Sequence, residues 1–263
     1  MKTFKAATYE FLIFGIKQAR SAIFAGSFFV LLFLSNHFTI SGIARYDFLF
    51  LASILLQAIL YFSKLETWDE VKVIFLFHII GIVLELYKTN PAIGSWSYPE
   101  PGFFKIATVP LYSGFMYAAV GSYISQSWKI MKLELIHFTN YGWSVVLCAL
   151  IYINFFTNHF LPDARYILIP LVFILFWNVS VHFTVTHERR SMPLILSLVL
   201  IGFFIWVAEN ISTLWGAWQY PNQVHTWNIV SSGKITSWFL MVIISFIVVA
   251  YLKDYKMKKV STI

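Results

Sequence analysis

The chain has 263 residues, of which 59% are hydrophobic and only 12% charged. That balance excludes a soluble globular enzyme, a disordered tail and a secreted disulfide scaffold, and the single cysteine, Cys148, excludes an internal disulfide. The formal charge of +7 is read as an orientation signal for membrane insertion and not as a nucleic-acid footprint.

The first twenty residues place Phe4, Ala7, Phe11 and Phe14 at helical spacing, with Lys5, Glu10 and Lys17 elsewhere. This predicts an amphipathic interfacial helix over 1–20 or, equally, an extension of the span that follows. No convincing small-residue cleavage site follows, so the segment is not read as a cleavable signal peptide. Eight continuous apolar runs then fit membrane helices: 21–35, 46–62, 71–87, 104–125, 142–158, 165–186, 192–212 and 235–252. The runs do not alternate, which favours a helical bundle over a barrel. The expected fold is all-α: a polytopic bundle of about eight transmembrane helices forming one membrane domain.

Taking the N-terminus as cytoplasmic leaves five of the 19 Lys and Arg outside: Arg45, Lys88, Lys105, Arg165 and Lys234. The others, including Lys2, Lys253, Lys256, Lys258 and Lys259, fall inside. The positive-inside rule then sets both termini in the cytoplasm of a multi-pass cell-membrane protein.

The halves repeat each other, 21–135 against 142–255. "NHF" and "ARY" each occur twice, Glu85 is matched by Glu209, and "GSWSYP" by "GAWQYP", at offsets of 120–124 residues. Four spans per half is an even number, which predicts two parallel repeats about an axis along the membrane normal. Pro110, Gly114, Tyr117 and Gly121 mark the fourth span as the centrally packed one.

Every duplicated polar landmark falls on the outer side. Glu85 and Glu209 are carboxylates in apolar surroundings, which suits a general acid and base, or a structural pair served by the Arg or Trp of each half. His78 lies two helical turns before Glu85 on one face and is a candidate proton relay, or a histidine bonded to a neighbouring helix. Asn178 and His182, in the sixth span, are weaker candidates. Trp96, Tyr98, Trp218 and Tyr220 sit in loops of fixed Gly and Pro spacing that can line a substrate pocket. Arg45, Arg165, His37 and His159 complete the candidate binding set, whereas Trp215 and Trp227 read as interfacial anchors. His37 and His159 with Asp163 lack the adjacent ligands of a full metal site. No P-loop, dinucleotide fingerprint or HExxH motif occurs, so no metal or cofactor is expected. The expected partners are membrane lipids and a hydrophobic small molecule, not nucleic acid.

Through "LELYKTNPAIGSWSYPEP" and "PLYSGFMYAAVGSYI", the chain resembles the YoaT-like family of uncharacterised bacterial integral membrane proteins. This resemblance implies location. A span-terminal Glu followed by the Gly-x-Trp-x-Tyr loop also looks like the membrane carotenoid hydratases and small lycopene cyclases. That resemblance implies proton donation to a polyene by Glu85 or Glu209. The expected function is an enzyme acting by Glu acid/base chemistry on an isoprenoid-like substrate at the outer leaflet. A small-molecule transporter and a non-catalytic scaffold are the alternatives.

Overall fold

The computed structural model describes residues 2–138 and 141–261, with side chains described over 5–138 and 141–254. The side chains of Phe4, Lys2, Lys256, Lys258 and Lys259, used in the sequence reading, lie outside that set. Nine α-helices form most of the described chain, with five short strands between them.

Helix α1 (Lys2–Ser21) and α2 (Ile23–His37) meet at a bend of 68°. The first helix is therefore a separate element and not a straight extension of the second. Its face is pinned by long-range polar contacts. Glu10 binds Arg190, Lys17 donates to the Thr184 carbonyl at 3.0 Å, and Tyr123 donates to Gln18 at 2.6 Å.

Helix α3 (Arg45–Phe62) leads through a tight turn to α4 (Trp68–Lys88). A capping box starts α4: the Glu70 amide donates to Thr67, and the Glu70 carboxylate accepts from the Thr67 amide at 2.7 Å. The predicted fourth span begins late. Residues 104–112 form a hairpin, β1 (Lys105–Ile106) with β2 (Val109–Pro110), and helix α5 (Ser113–Ile130) starts only after it. Pro110 lacks an amide donor, and Ala107 turns the chain at φ +50°. Asp47 on α3 fixes this loop by accepting from the amides of Phe103 and Phe104, each at 2.8 Å.

The second half holds α6 (Tyr141–Thr157), α7 (Arg165–Phe176), α8 (Leu194–Leu214) and α9 (Lys234–Ser261). Here the sixth predicted span needs correction. Helix α7 stops at Phe176, and β4 (Ser180–Thr184) follows between β3 (Glu134–Ile136) and β5 (Arg189–Pro193) in an antiparallel sheet. Asn178 and His182 are thus outside any helix. The run "VSVHFTVT" is β-branched and alternating, and its central residues Ser180–Thr184 pair with strands on both sides. The bundle is therefore mostly helical and not wholly so.

Helices α5 and α9 occupy the centre, each against the Glu-bearing helix of its own half. Between α4 and α5 the backbones approach closely. A Cβ on Gly121 would lie 2.3 Å from the Phe77 ring, and one on Gly81 would lie 2.5 Å from Tyr117. Helix α9 is as central: 61% of its most apolar window is buried, although it lacks the small-residue series of α5. Among the described residues, α3, α8 and α9 are long and apolar enough to cross a membrane. A fourth such span arises if the bent α1–α2 pair counts as one.

Candidate functional site

Glu85 sits three residues before the end of α4 and Glu209 five before the end of α8, at 2% and 3% exposure. After each helix the chain turns through a glycine, Gly94 at φ +58° and Gly216 at φ +68°. A side chain rarely adopts that conformation, which explains why the repeated loop begins with Gly. The loops then bring an aromatic donor back onto the carboxylate.

The two acids are held in related ways. Glu85 accepts from Trp96 Nε1 at 2.7 Å, the Tyr98 hydroxyl at 2.9 Å and the Tyr117 hydroxyl at 2.8 Å. Glu209 accepts from the Tyr220 hydroxyl at 2.5 Å and Trp238 Nε1 at 2.8 Å. Each acid therefore takes one donor from its own loop tyrosine and one from the last helix of its half, Tyr117 on α5 or Trp238 on α9. Trp218 breaks the likeness, because Trp238 supplies the indole donor to Glu209. Burial first, and then the neighbouring carboxylate, hold the Tyr98 and Tyr220 phenols well above their ordinary pKa, so both remain donors.

Both carboxylates line one cavity of about 310 Å3. Lys234, at the start of α9, lies between the halves: its Nζ is 4.9 Å from the centre of the Trp96 ring and 4.7 Å from that of Tyr220. Lys88 also lines the cavity, bonded to His159 Nε2 at 2.8 Å and Asn158 Oδ1 at 3.1 Å. Partial desolvation, then the charges of Lys88 and Lys234, hold the His159 imidazole below its ordinary pKa. Arg165 lines the same space and pairs with Asp163 at 2.5 Å. Burial pushes the Asp163 carboxyl up, but the Arg165 amide, Asn154 and the Arg165 guanidinium outweigh it and leave that pKa lowered.

The sequence-derived candidates thus divide. Glu85, Glu209, Trp96, Trp218, Tyr220, Arg165 and His159 come together on the cavity. Tyr98 stands behind it, on Glu85. Arg45 does not reach either acid. Its guanidinium binds Glu100 at 2.6 Å, Ser35 at 3.1 Å, and the carbonyls of Trp215 at 2.5 Å and Gly216 at 3.1 Å. That arginine clamps one half to the other. His37 is exposed and bonds Phe33 of its own helix at 2.8 Å. His78 packs on the Phe115 ring at 4.6 Å, its Nδ1 has no protein partner, and it lines no part of the cavity. The Glu85 oxygens are taken by three other donors, so the geometry provides no relay from His78. Among the described residues no group of three His, Cys, Asp or Glu side chains is placed to hold a metal ion.

Lys234, Lys88 and Trp238 were not singled out from sequence as site residues. The two lysines entered only as charges at the ends of apolar runs, and Trp238 as one of many apolar-run aromatics. The seating of Lys234 and Trp238 between the halves depends on how α9 packs.

No solved structure matches the chain. The chain is 50% identical over 250 residues to the "Uncharacterized protein YoaT" of Bacillus subtilis (strain 168), covering 95% of this chain and 94% of that protein. A family model described as "Protein of unknown function (DUF817)" matches residues 10–246. The chain therefore belongs to the DUF817 family.

Proposed function

We propose that this protein is a multi-pass enzyme of the cell membrane that uses glutamate acid/base chemistry on a hydrophobic, isoprenoid-like substrate. Helices α2–α5 and α6–α9 are the two parallel repeats, with α7 and its following strand as the shortest crossing. Both termini are cytoplasmic, with Arg189 and Arg190 of the sheet at the inner face and the carboxylates near the outer one. Three or four helices of spanning length, the basic sheet and the paired loops support this arrangement.

The observation that carries the chemical reading is that two buried carboxylates line one cavity with aromatic walls. Their roles differ. Glu85 takes three donors and is fixed as an anion-like acceptor, whereas each oxygen of Glu209 takes one donor and retains acceptor capacity. Glu209 is the proton donor: it protonates a carbon of a substrate double bond, and the carbocation lies against indole and phenol faces. Loss of a neighbouring proton back to Glu209, or addition of water with return of the proton, completes the cycle and regenerates the acid.

Mass spectrometry of small molecules retained on purified wild-type protein and on Glu209→Gln tests this. The variant should retain an unsaturated hydrophobic compound that the wild type converts to an isomer or hydrate. The same compound on both, with no converted form anywhere, removes Glu209 from the chemistry.

One observation favours a second reading. The cavity lies between the halves, and the repeats suit rocking about a central site, so the protein is alternatively a small-molecule transporter. Flux into proteoliposomes without chemical change in the solute would select that reading.

A further inference from the structure

A second and larger space adjoins the carboxylate cavity. It has a volume of about 750 Å3 and runs between α1, α2 and α5 on one side and α8 on the other. Its walls are almost wholly apolar, with Phe14, Phe28, Ala119, Ile201 and Phe246 among them. Two further wall residues, Leu200 and Phe204, are also exposed on the outer surface of the bundle, so the cleft is open from the side. Met116, Glu209, Trp218 and Trp238 line both spaces. The polar cavity and the apolar cleft therefore meet at Glu209.

Charge decides what enters the polar end. All four carboxylate oxygens of Glu85 and Glu209 already accept hydrogen bonds from the protein. The ammonium groups are matched differently. Among the described residues, Lys88 Nζ contacts the neutral groups of Asn158 and His159, and Lys234 Nζ faces two aromatic rings and donates to no protein acceptor. A group entering here meets two ammonium groups that make no hydrogen bond or ion pair to a carboxylate among the described residues, beside acids whose oxygens each already accept from the protein. Both volumes lie within the roughly 300–1,000 Å3 of ordinary small-ligand pockets.

We infer that the ligand is a single-chain amphiphile whose anionic head sits on Lys234 and Lys88 and whose hydrocarbon chain lies in the cleft beside α8. The inference rests on the acid/base reading only for what it adds to it: the carbon facing Glu209 is then one near the head, where chain and cavity join. A carboxylate and a phosphate head share the required chemistry. The chain is required too, because the cleft offers nothing to a free anion.

The test is binding of hexadecyl phosphate to the purified full chain in a maltoside detergent, followed by native mass spectrometry. One molecule should bind per chain. Hexadecanoate should displace it, while hexadecanol and inorganic phosphate at the same concentrations should not. Lys234→Gln should weaken binding by about tenfold, the worth of one charge-assisted hydrogen bond. Gly26→Leu fills the cleft from a position where a Cβ meets nothing within 4 Å, so the fold should tolerate it. It should weaken hexadecyl phosphate by about fivefold and leave butyl phosphate unchanged. Equal displacement by hexadecanol overturns the anionic head, and equal displacement by inorganic phosphate overturns the chain site. Binding indifferent to both substitutions overturns the placement. Glu209→Gln should still bind, so the ligand assignment stands or falls separately from the proton-transfer role.

Discussion

Ser97 and Gln219 exchange backbone hydrogen bonds in both directions, at 2.9 Å each, and so join the two repeated loops as an antiparallel pair. The two loops are thereby in direct contact, and each positions the other over the cavity. Ser97→Pro removes one of these donors and should lower stability by about 1–3 kcal/mol, whereas Ser97→Ala retains it and should change stability little. Thermal unfolding followed by size-exclusion in detergent distinguishes the two. Equal melting temperatures for both variants would show that the bridge contributes nothing.

Arg45 is the second tie between the halves. Its guanidinium reaches Glu100, Ser35 and two carbonyls at the end of α8. Arg45→Ala leaves these acceptors without a donor and should cost about 1–3 kcal/mol, read as lost thermal stability. Arg45→Lys should rescue little, because a single ammonium cannot reproduce the planar fork.

The close approach of α4 and α5 is tested by a pair of glycines. Gly121→Ala drives a Cβ into the Phe77 ring and should destabilise by about 1–3 kcal/mol. Gly26→Ala, with nothing within 4 Å, should be neutral or stabilising by up to about 1 kcal/mol. The opposite ranking of melting temperatures would contradict the packing of this pair.

His159 provides a pH readout. Partial desolvation and then the two lysines lower its pKa, so the neutral imidazole is the form the fold prefers. Its contribution to stability is present above the unfolded value of about 6.5 and is lost as pH falls through the folded value. Imidazole NMR shifts should titrate below that reference, and Lys88→Gln should raise the midpoint. An unchanged midpoint in Lys88→Gln would remove Lys88 from the electrostatics of the imidazole.

Much of this arrangement was legible in the sequence, for physical reasons. Long apolar runs specify helices wherever backbone groups must be satisfied within one segment, and α2 to α9 follow the eight runs. The reading failed at 177–186, where a short β-branched run fits a strand as well as a helix, and at 104–112, where Pro110 and a turn delay α5. At the site, Glu85, Glu209 and the aromatic loops were visible because repetition marks them. Lys234 and Trp238 were not, because neither stands in a repeated motif. What makes them site residues is the insertion of the α9 N-terminus between the two loops. Arg45 carried a repeated motif and was placed in the binding set, but its bonds are to Glu100 and the α8 end.

Incubation of membranes containing the wild type or Glu209→Gln in deuterated water, followed by lipid mass spectrometry, tests the central claim most directly. Proton donation to carbon leaves deuterium that does not wash out. A lipid-soluble component should gain carbon-bound deuterium with the wild type and not with the variant. Identical labelling in both membranes, or none in either, would contradict acid/base chemistry at Glu209.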